Sequence, residues 1–273
     1  MSIQLLKKLP TPTEIKADYP VTQKVAQIKA ERDEMIRKVF TGESDKFLVI
    51  IGPCSADNEE AVCEYINRLS RVQEEVADKL ILIPRIYTNK PRTTGEGYKG
   101  ILHQPDPEKK PDLLHGLIAI RKMHMRAIEE SGLTAADEML YPETWRYLDD
   151  ILSYVAIGAR SVENQQHRMV ASGMDVPVGM KKSNQWGSVC DAEILLWQHR
   201  SNRTLSTETG RLETDGNPLA HTILRGAVNK HGNAIPNYHY EDLQLLLEKY
   251  NERDLQNPAT IVGCESFEFE QAV

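Results

Sequence analysis

The run FLVIIGPCS at residues 47–55, answered by KLILIPRIY at residues 79–87, decides the fold. Each run places β-branched and leucine side chains on consecutive positions, so both faces of the strand are apolar. A strand reads this way when helices cover it on both sides. Between the two runs, Glu59 to Ala77 is polar with a helical period, and Leu113 to Ser131 repeats that pattern further on. The strand signal then recurs as LTAADEML (133–140), YVAIGARS (154–161), VPVGMK (176–181), HTILRG (221–226) and ATIVG (259–263). Seven strand-and-helix units in a row predict an α/β protein with a parallel sheet.

Two architectures suit such strands, a doubly wound open sheet and a (β/α)₈ barrel. No GxGxxG follows the first strand and no GxxxxGKS or GxxxxGKT occurs in the chain, which lowers the dinucleotide and P-loop readings. Instead, polar residues collect at the C-terminal ends of successive strands: Cys54, Arg85 with Lys90, Glu138, Arg160, Lys181 and Arg225. Functional groups drawn from many strand ends are what the top face of a barrel supplies, and the barrel is the expected fold.

Outward from this core, the first 45 residues form a separate arm. A proline-rich start leads into a charged helical run from Thr22 to Phe40, with Val25, Ile28, Met35, Ile36 and Val39 as its apolar positions. A cap on the bottom of the barrel and an oligomer or regulatory contact are equally good readings of it. Residues 46–273 are then the barrel domain. Of the 273 residues 40% are hydrophobic, enough for one large core, and the formal charge of −7 argues against nucleic acid as a general partner. No apolar run reaches the length of a membrane span and the N-terminus does not read as a signal peptide, so a cytoplasmic protein is expected. The four cysteines, Cys54, Cys63, Cys190 and Cys264, show no CxxC spacing and are expected to be reduced.

Taken singly, an arginine or lysine at a strand end often does no more than reach solvent. Five of them on one face, Arg85, Lys90, Arg160, Lys181 and Arg225, together with one soft ligand, Cys54, suit a small polyanion such as a sugar phosphate. The motifs IGPCS (51–55), RIYTNKPRTT (85–94), AADEML (135–140), AIGARSVENQQHR (156–168), PVGMK (177–181) and LRG (224–226) add specificity. In order and spacing the chain resembles the type I 3-deoxy-7-phosphoheptulonate (DAHP) synthases over about residues 1–182 and 213–262.

That resemblance implies a metal-dependent transferase that condenses phosphoenolpyruvate with erythrose 4-phosphate and water, the first step of the shikimate pathway to aromatic amino acids. It implies that Cys54 is a ligand of a divalent metal, which polarises the aldehyde. Arg85, Lys90 and Lys181 then resemble the group around the phosphoenolpyruvate carboxylate and bridging oxygen, and Arg160 and Arg225 resemble its phosphate clamp. Glu138 resembles the acidic residue that organises a water beside that phosphate. Arg92 and Thr93 resemble the erythrose 4-phosphate site. A homo-oligomer and an aromatic amino acid effector are the implied partners.

The chain departs from the family pattern in two places. The family supplies its further metal ligands from an NHSN motif after the seventh strand and from positions beyond it, whereas this chain reads IVGCESFEFEQAV at 261–273. The barrel is therefore expected to be incomplete after about its seventh strand. Codons can be chosen for the tail such that removing one base near Gly263 yields VDANHSNSNKQ, which restores the motif. A similar shift turns SNQWGSVCDAE (183–193) into PTSGDLSVML, so residues 183–212 are expected to be aberrant. A one-base insertion explains the tail, and the alternative is a catalytically silent homologue that binds phosphoenolpyruvate or regulates an intact synthase by mixed assembly.

Overall fold

A computed structural model describes residues 7–92, 96–181, 203–207, 210–228, 231 and 233–263. Two helices, α1 (Pro12–Asp18) and α2 (Gln23–Phe40), precede the first strand, β1 (Phe47–Ile51), which leads through α3 (Glu59–Val76) to β2 (Leu80–Pro84). Next come α4 (Leu113–Ser131), β3 (Ala136–Glu138), a 3₁₀ turn at Pro142–Tyr147, β4 (Tyr154–Ile157), α5 (Gln165–Ser172) and β5 (Val178–Lys181). The C-terminal part holds β6 (Arg203–Thr207), β7 (Gly210–Thr214), β8 (His221–Leu224), β9 (Ala227–Val228), β10 (Ala234–Ile235), α6 (Tyr240–Glu252) and β11 (Thr260–Val262). The tail after Gly263 and most of the 183–212 run, with the shifted-frame readings attached to them, lie outside the described residues.

The helices start where short polar side chains can satisfy the first free backbone N–H groups. Asn58 Oδ1 accepts from the Ala61 N–H at 2.9 Å, Asp112 Oδ1 from His115 at 3.2 Å, and Asn164 Oδ1 from Gln166 at 2.9 Å. Thr11 and Glu14 close a reciprocal capping box on α1. Helix α4 stops at Gly132, whose φ of 72° carries its N–H back to the Ile128 carbonyl.

The chain divides into two compact units, one of residues 1–34, 46–137 and 143–153 and one of residues 35–45, 138–142 and 154–273. In the first, β1 and β2 pair in parallel from Phe47 opposite Leu80 to Ile51 opposite Pro84, and a parallel bridge joins Arg85 to Ala136. Parallel pairing uses every second residue, so the backbone groups of Leu80 and Leu82 face away from β1. The Gln73 amide replaces a strand there: its Oε1 accepts from Leu82 N–H at 2.7 Å and its Nε2 donates to the Leu80 carbonyl at 2.9 Å. Buried Arg32 donates to the Leu82 carbonyl, and burial holds its guanidinium down to about 10. Arg121, fully buried, forks onto Asp150 at 2.7 and 2.8 Å and donates to the Tyr19 carbonyl at 2.7 Å, tying α4 to the end of α1.

The second unit is built on the parallel strands β11-β8-β5-β4, paired in that order. Its core includes Val155, Ile157, Val178, Met180, Ile223 and Leu224. Gly179 on β5 is required by packing, since a Cβ there would overlap the Tyr154 hydroxyl. That hydroxyl lies 2.9 Å from His221 Nε2, and His221 Nδ1 lies 2.9 Å from the Leu219 carbonyl. A carbonyl only accepts, so Nδ1 carries the proton and Nε2 accepts from tyrosine. The hairpin β6–β7 and the short pair β9–β10 are antiparallel. Parallel α/β organisation is thus present as expected, and its function follows from which residues the strand ends carry.

Candidate functional site

Parallel strands point the same way, so their C-terminal ends gather on one edge of each sheet. In the first unit this edge carries the turn Gly52–Ser55 after β1 and the segment from Arg85 after β2. Gly52 is pressed so closely against the Arg85 backbone that a Cβ would overlap its carbonyl, which keeps the two strand ends in contact. Cys54 is exposed on that turn. The Lys90 ammonium donates to the Cys54 carbonyl and sits 3.1 Å from its sulfur. The Arg85 guanidinium lies 4.0 Å over the Tyr87 ring, a cation–π contact. Arg92 donates its Nε to the Tyr98 carbonyl at 2.8 Å, which orients the guanidinium from its stem. Thr93 lies outside the described residues.

In the second unit the strand-end edge carries Glu138 at the end of β3, Arg160 after β4, Lys181 at the end of β5 and Arg225 after β8. Lys181 and Glu138 form an ion pair at 3.1 Å, with only 15% and 11% of their side chains exposed. Gly158 makes room for that carboxylate, because a Cβ would stand 2.6 Å from Glu138 Oε1. Arg160 is exposed on the turn that follows, and Arg225 is half-buried. Buried Asn237 accepts from the Gly226 N–H at 2.7 Å and holds the turn after Arg225. His167 Nε2 approaches the Leu140 carbonyl at 3.1 Å, and Arg168 donates to the Val162 carbonyl at 2.6 Å; these contacts brace the loops that carry Glu138 and Arg160.

The structure therefore brings Cys54 and Lys90 together, with Arg85 on the adjoining strand end against Gly52, and pairs Glu138 with Lys181. Both pairs combine cations with well-anchored backbone, an arrangement suited to carboxylate and phosphate groups. Sequence reading missed the residues that do the anchoring: Gly158, Tyr98 through its carbonyl, Asn237, and the buried pair His124 and Asp137. The last had a signal in AADEML, where two successive acids on a strand point to opposite faces, so one of them must be buried and needs donors.

A metal held through Cys54 would need further ligand-type side chains around it, and among the described residues no group of three or more His, Cys, Asp or Glu could hold a metal ion. The sulfur's described polar neighbour is the Lys90 ammonium. The described residues do not by themselves fit a metal centre. Nor does any helix among them have the length and apolarity to cross a membrane.

Comparison with known proteins gives one consistent result. The family model described as DAHP synthetase I family matches residues 18–260. The Trp-sensitive phospho-2-dehydro-3-deoxyheptonate aldolase of Escherichia coli K12 is 34% identical over 254 residues, covering 92% of this chain and 71% of that protein. The Tyr-sensitive protein of the same organism is 36% identical, covering 94% of this chain and 70% of its own length. Among solved structures, the phospho-2-dehydro-3-deoxyheptonate aldolase of Francisella tularensis SCHU S4 superposes with a TM-score of 0.84 at 26% identity, covering 96% of this chain and 75% of that one.

Proposed function

The chain belongs to the DAHP synthetase I family, and from that premise we propose that it condenses phosphoenolpyruvate with erythrose 4-phosphate and water, on a (β/α)₈-type barrel of residues 46–273 preceded by an arm of residues 1–45. The observation that carries the reading is the set of cations at the C-terminal ends of parallel strands, at the positions where the family's motifs fall. Carbon 3 of the enolpyruvate forms a bond to the aldehyde carbon, the aldehyde oxygen gains a proton, and water adds at carbon 2 before inorganic phosphate leaves. Two phosphates and a carboxylate must come together for this, and their repulsion is offset by fixed cations.

Each residue has a part in that scheme. Arg85, Lys90 and Lys181 bind the phosphoenolpyruvate carboxylate and bridging oxygen. Arg160 and Arg225 bind its phosphate, and Arg92 with Thr93 binds that of the sugar. Glu138, held by Lys181 at 3.1 Å, accepts a hydrogen bond from the water that attacks carbon 2. Cys54 is the side chain through which a divalent metal would be held, and the chemistry such an ion supplies is polarisation of the aldehyde. The relatives' names, Trp-sensitive and Tyr-sensitive, support an aromatic amino acid effector, and the arm supports a homo-oligomer.

The test is direct. Purified protein given both substrates and a divalent salt should consume phosphoenolpyruvate and release phosphate only when erythrose 4-phosphate is present. Phosphate release independent of the sugar, or phosphoenolpyruvate binding without turnover under every divalent ion, would overturn the assignment in favour of a binding protein.

A further inference from the structure

Beneath the Lys90 cluster, in the first unit, lies a polar site that the reaction does not use directly. The Asp137 carboxylate is 4% exposed. Its Oδ1 accepts from the Thr88 backbone N–H at 3.0 Å and its Oδ2 from the Thr88 hydroxyl at 2.5 Å, while His124 Nε2 stands 3.4 Å from Oδ2. His124 is fully buried, and its Nδ1 meets no hydrogen-bond partner among the described residues. A carboxylate taken out of water is costly unless donors surround it. Here two of its donors come from one residue, so Thr88 is pinned by its backbone and its side chain at once.

From Thr88 the constraint passes outward. Asn89 donates to the Thr88 hydroxyl oxygen at 3.3 Å, and the Thr88 carbonyl accepts from Leu102 N–H at 3.3 Å. Lys90 N–H donates to the Lys99 carbonyl at 3.1 Å. Gly100, at φ +96°, lies so close that a Cβ would overlap the Thr88 carbonyl. The segment 98–102 therefore rests on Thr88 and Asn89, and the Tyr98 carbonyl at its start holds Arg92 at 2.8 Å.

We propose that Asp137 is a positioning residue: by clamping Thr88 it sets the segment that carries Lys90 and the loop that orients Arg92. This rests on the reading of Lys90 and Arg92 as substrate-binding groups. Asp137 touches no substrate and acts through Thr88. The neighbouring acid on β3, Glu138, has the opposite assignment, so two successive residues of one strand divide the work between support and chemistry.

The experiment uses the full chain with Thr88→Val, which keeps the backbone bond and removes the hydroxyl donor, and Thr88→Ser, which restores it. Hydrogen exchange is followed by mass spectrometry alongside condensation kinetics. Thr88→Val should speed amide exchange across residues 88–102 at least tenfold while β4 and β5 stay within twofold of wild type, and should lower kcat/KM at least tenfold. Thr88→Ser should return both to within threefold. Exchange that is unchanged, or that rises evenly over the chain, overturns the proposal. A wild-type protein that does not condense the two substrates defeats the proposed function instead, and the local exchange readout still decides the positioning role. If Thr88→Val does not fold, Asp137→Asn, which retains an acceptor for the Thr88 N–H, is read by the same criteria.

Discussion

Acid should destabilise the second unit through one residue, His221, and the size of the effect follows from its surroundings. Its ring is 1% exposed and packs 4.5 Å from the Phe40 ring, and the Leu219 carbonyl on Nδ1 and the Tyr154 hydroxyl on Nε2 fix the tautomer of its neutral form. Burial, opposed in part by the Leu219 carbonyl, pushes its pKa down from 6.5 to about 4. The unfolded chain therefore binds the proton first as pH falls. The stabilisation is complete above about pH 6.5, declines between 6.5 and 4, and is lost below that. At about 1.4 kcal/mol per pH unit the full loss is about 3 kcal/mol, of which about 2 kcal/mol is gone by pH 5. Urea unfolding of wild type and His221→Gln, measured from pH 7.5 to 4, should give stabilities whose difference shrinks by that amount. The nitrogen-15 spectrum of the imidazole should show Nδ1 protonated and Nε2 bare at pH 7. A difference that stays flat to within about 0.5 kcal/mol, or a His221 titration near its ordinary value, refutes the reasoning.

Other perturbations test the rest of the structure. Lys181→Met removes the partner of Glu138 and a cation assigned to phosphoenolpyruvate; loss of a charge-assisted contact of about 3 kcal/mol predicts on the order of a hundredfold weaker phosphoenolpyruvate binding by calorimetry. Gly158→Ala puts a methyl 2.6 Å from Glu138 Oε1, so kcat should fall about tenfold while the melting temperature moves only a few degrees. Burial works to raise the Asp150 pKa, and the Arg121 fork together with Lys16 and a backbone donor more than offsets it; Arg121→Met removes the fork and should cost about 3 kcal/mol in chemical denaturation with no local effect at the strand ends. Iodoacetamide should label exposed Cys54 in the folded protein, whereas Cys63, whose thiol burial pushes up to about 11, should stay unmodified until denaturant is added; peptide mass spectrometry distinguishes the two.

The strands were legible because both of their faces are apolar. LILIP at 80–84 and YVAI at 154–157 are buried almost throughout, and no amphipathic helix needs such a run. Two helices were legible too, Glu59 to Ala77 and Leu113 to Ser131, and Asn58 and Asp112 cap their starts. Strand order was legible as well, because a barrel pairs successive strands and the order β3-β4-β5-β8-β11 is sequential once the hairpin is set aside. The hairpin β6–β7, inserted between β5 and β8, was not read from the sequence.

The same division runs through the candidate site. A residue proposed to face substrate must be of a particular chemical type, so Arg85, Lys90, Glu138 and Lys181 stand out as charges where apolar strands end. A residue that supports it need only meet its partner, and the partner's position is a tertiary fact. Thr88 and Asp137 are 49 positions apart, and nothing local to either marks them as a pair. Arg121 and Asp150 are separated by 29, and their fork is invisible until α4 is laid against the segment before β4. What sequence can supply is the constraint that such partners exist. An acid on a face that the strand buries must find donors, and AADEML states that need for one of Asp137 and Glu138, while the fold shows it to be Asp137. The support of a site is thus readable as an unsatisfied requirement, and the fold decides which residue meets it.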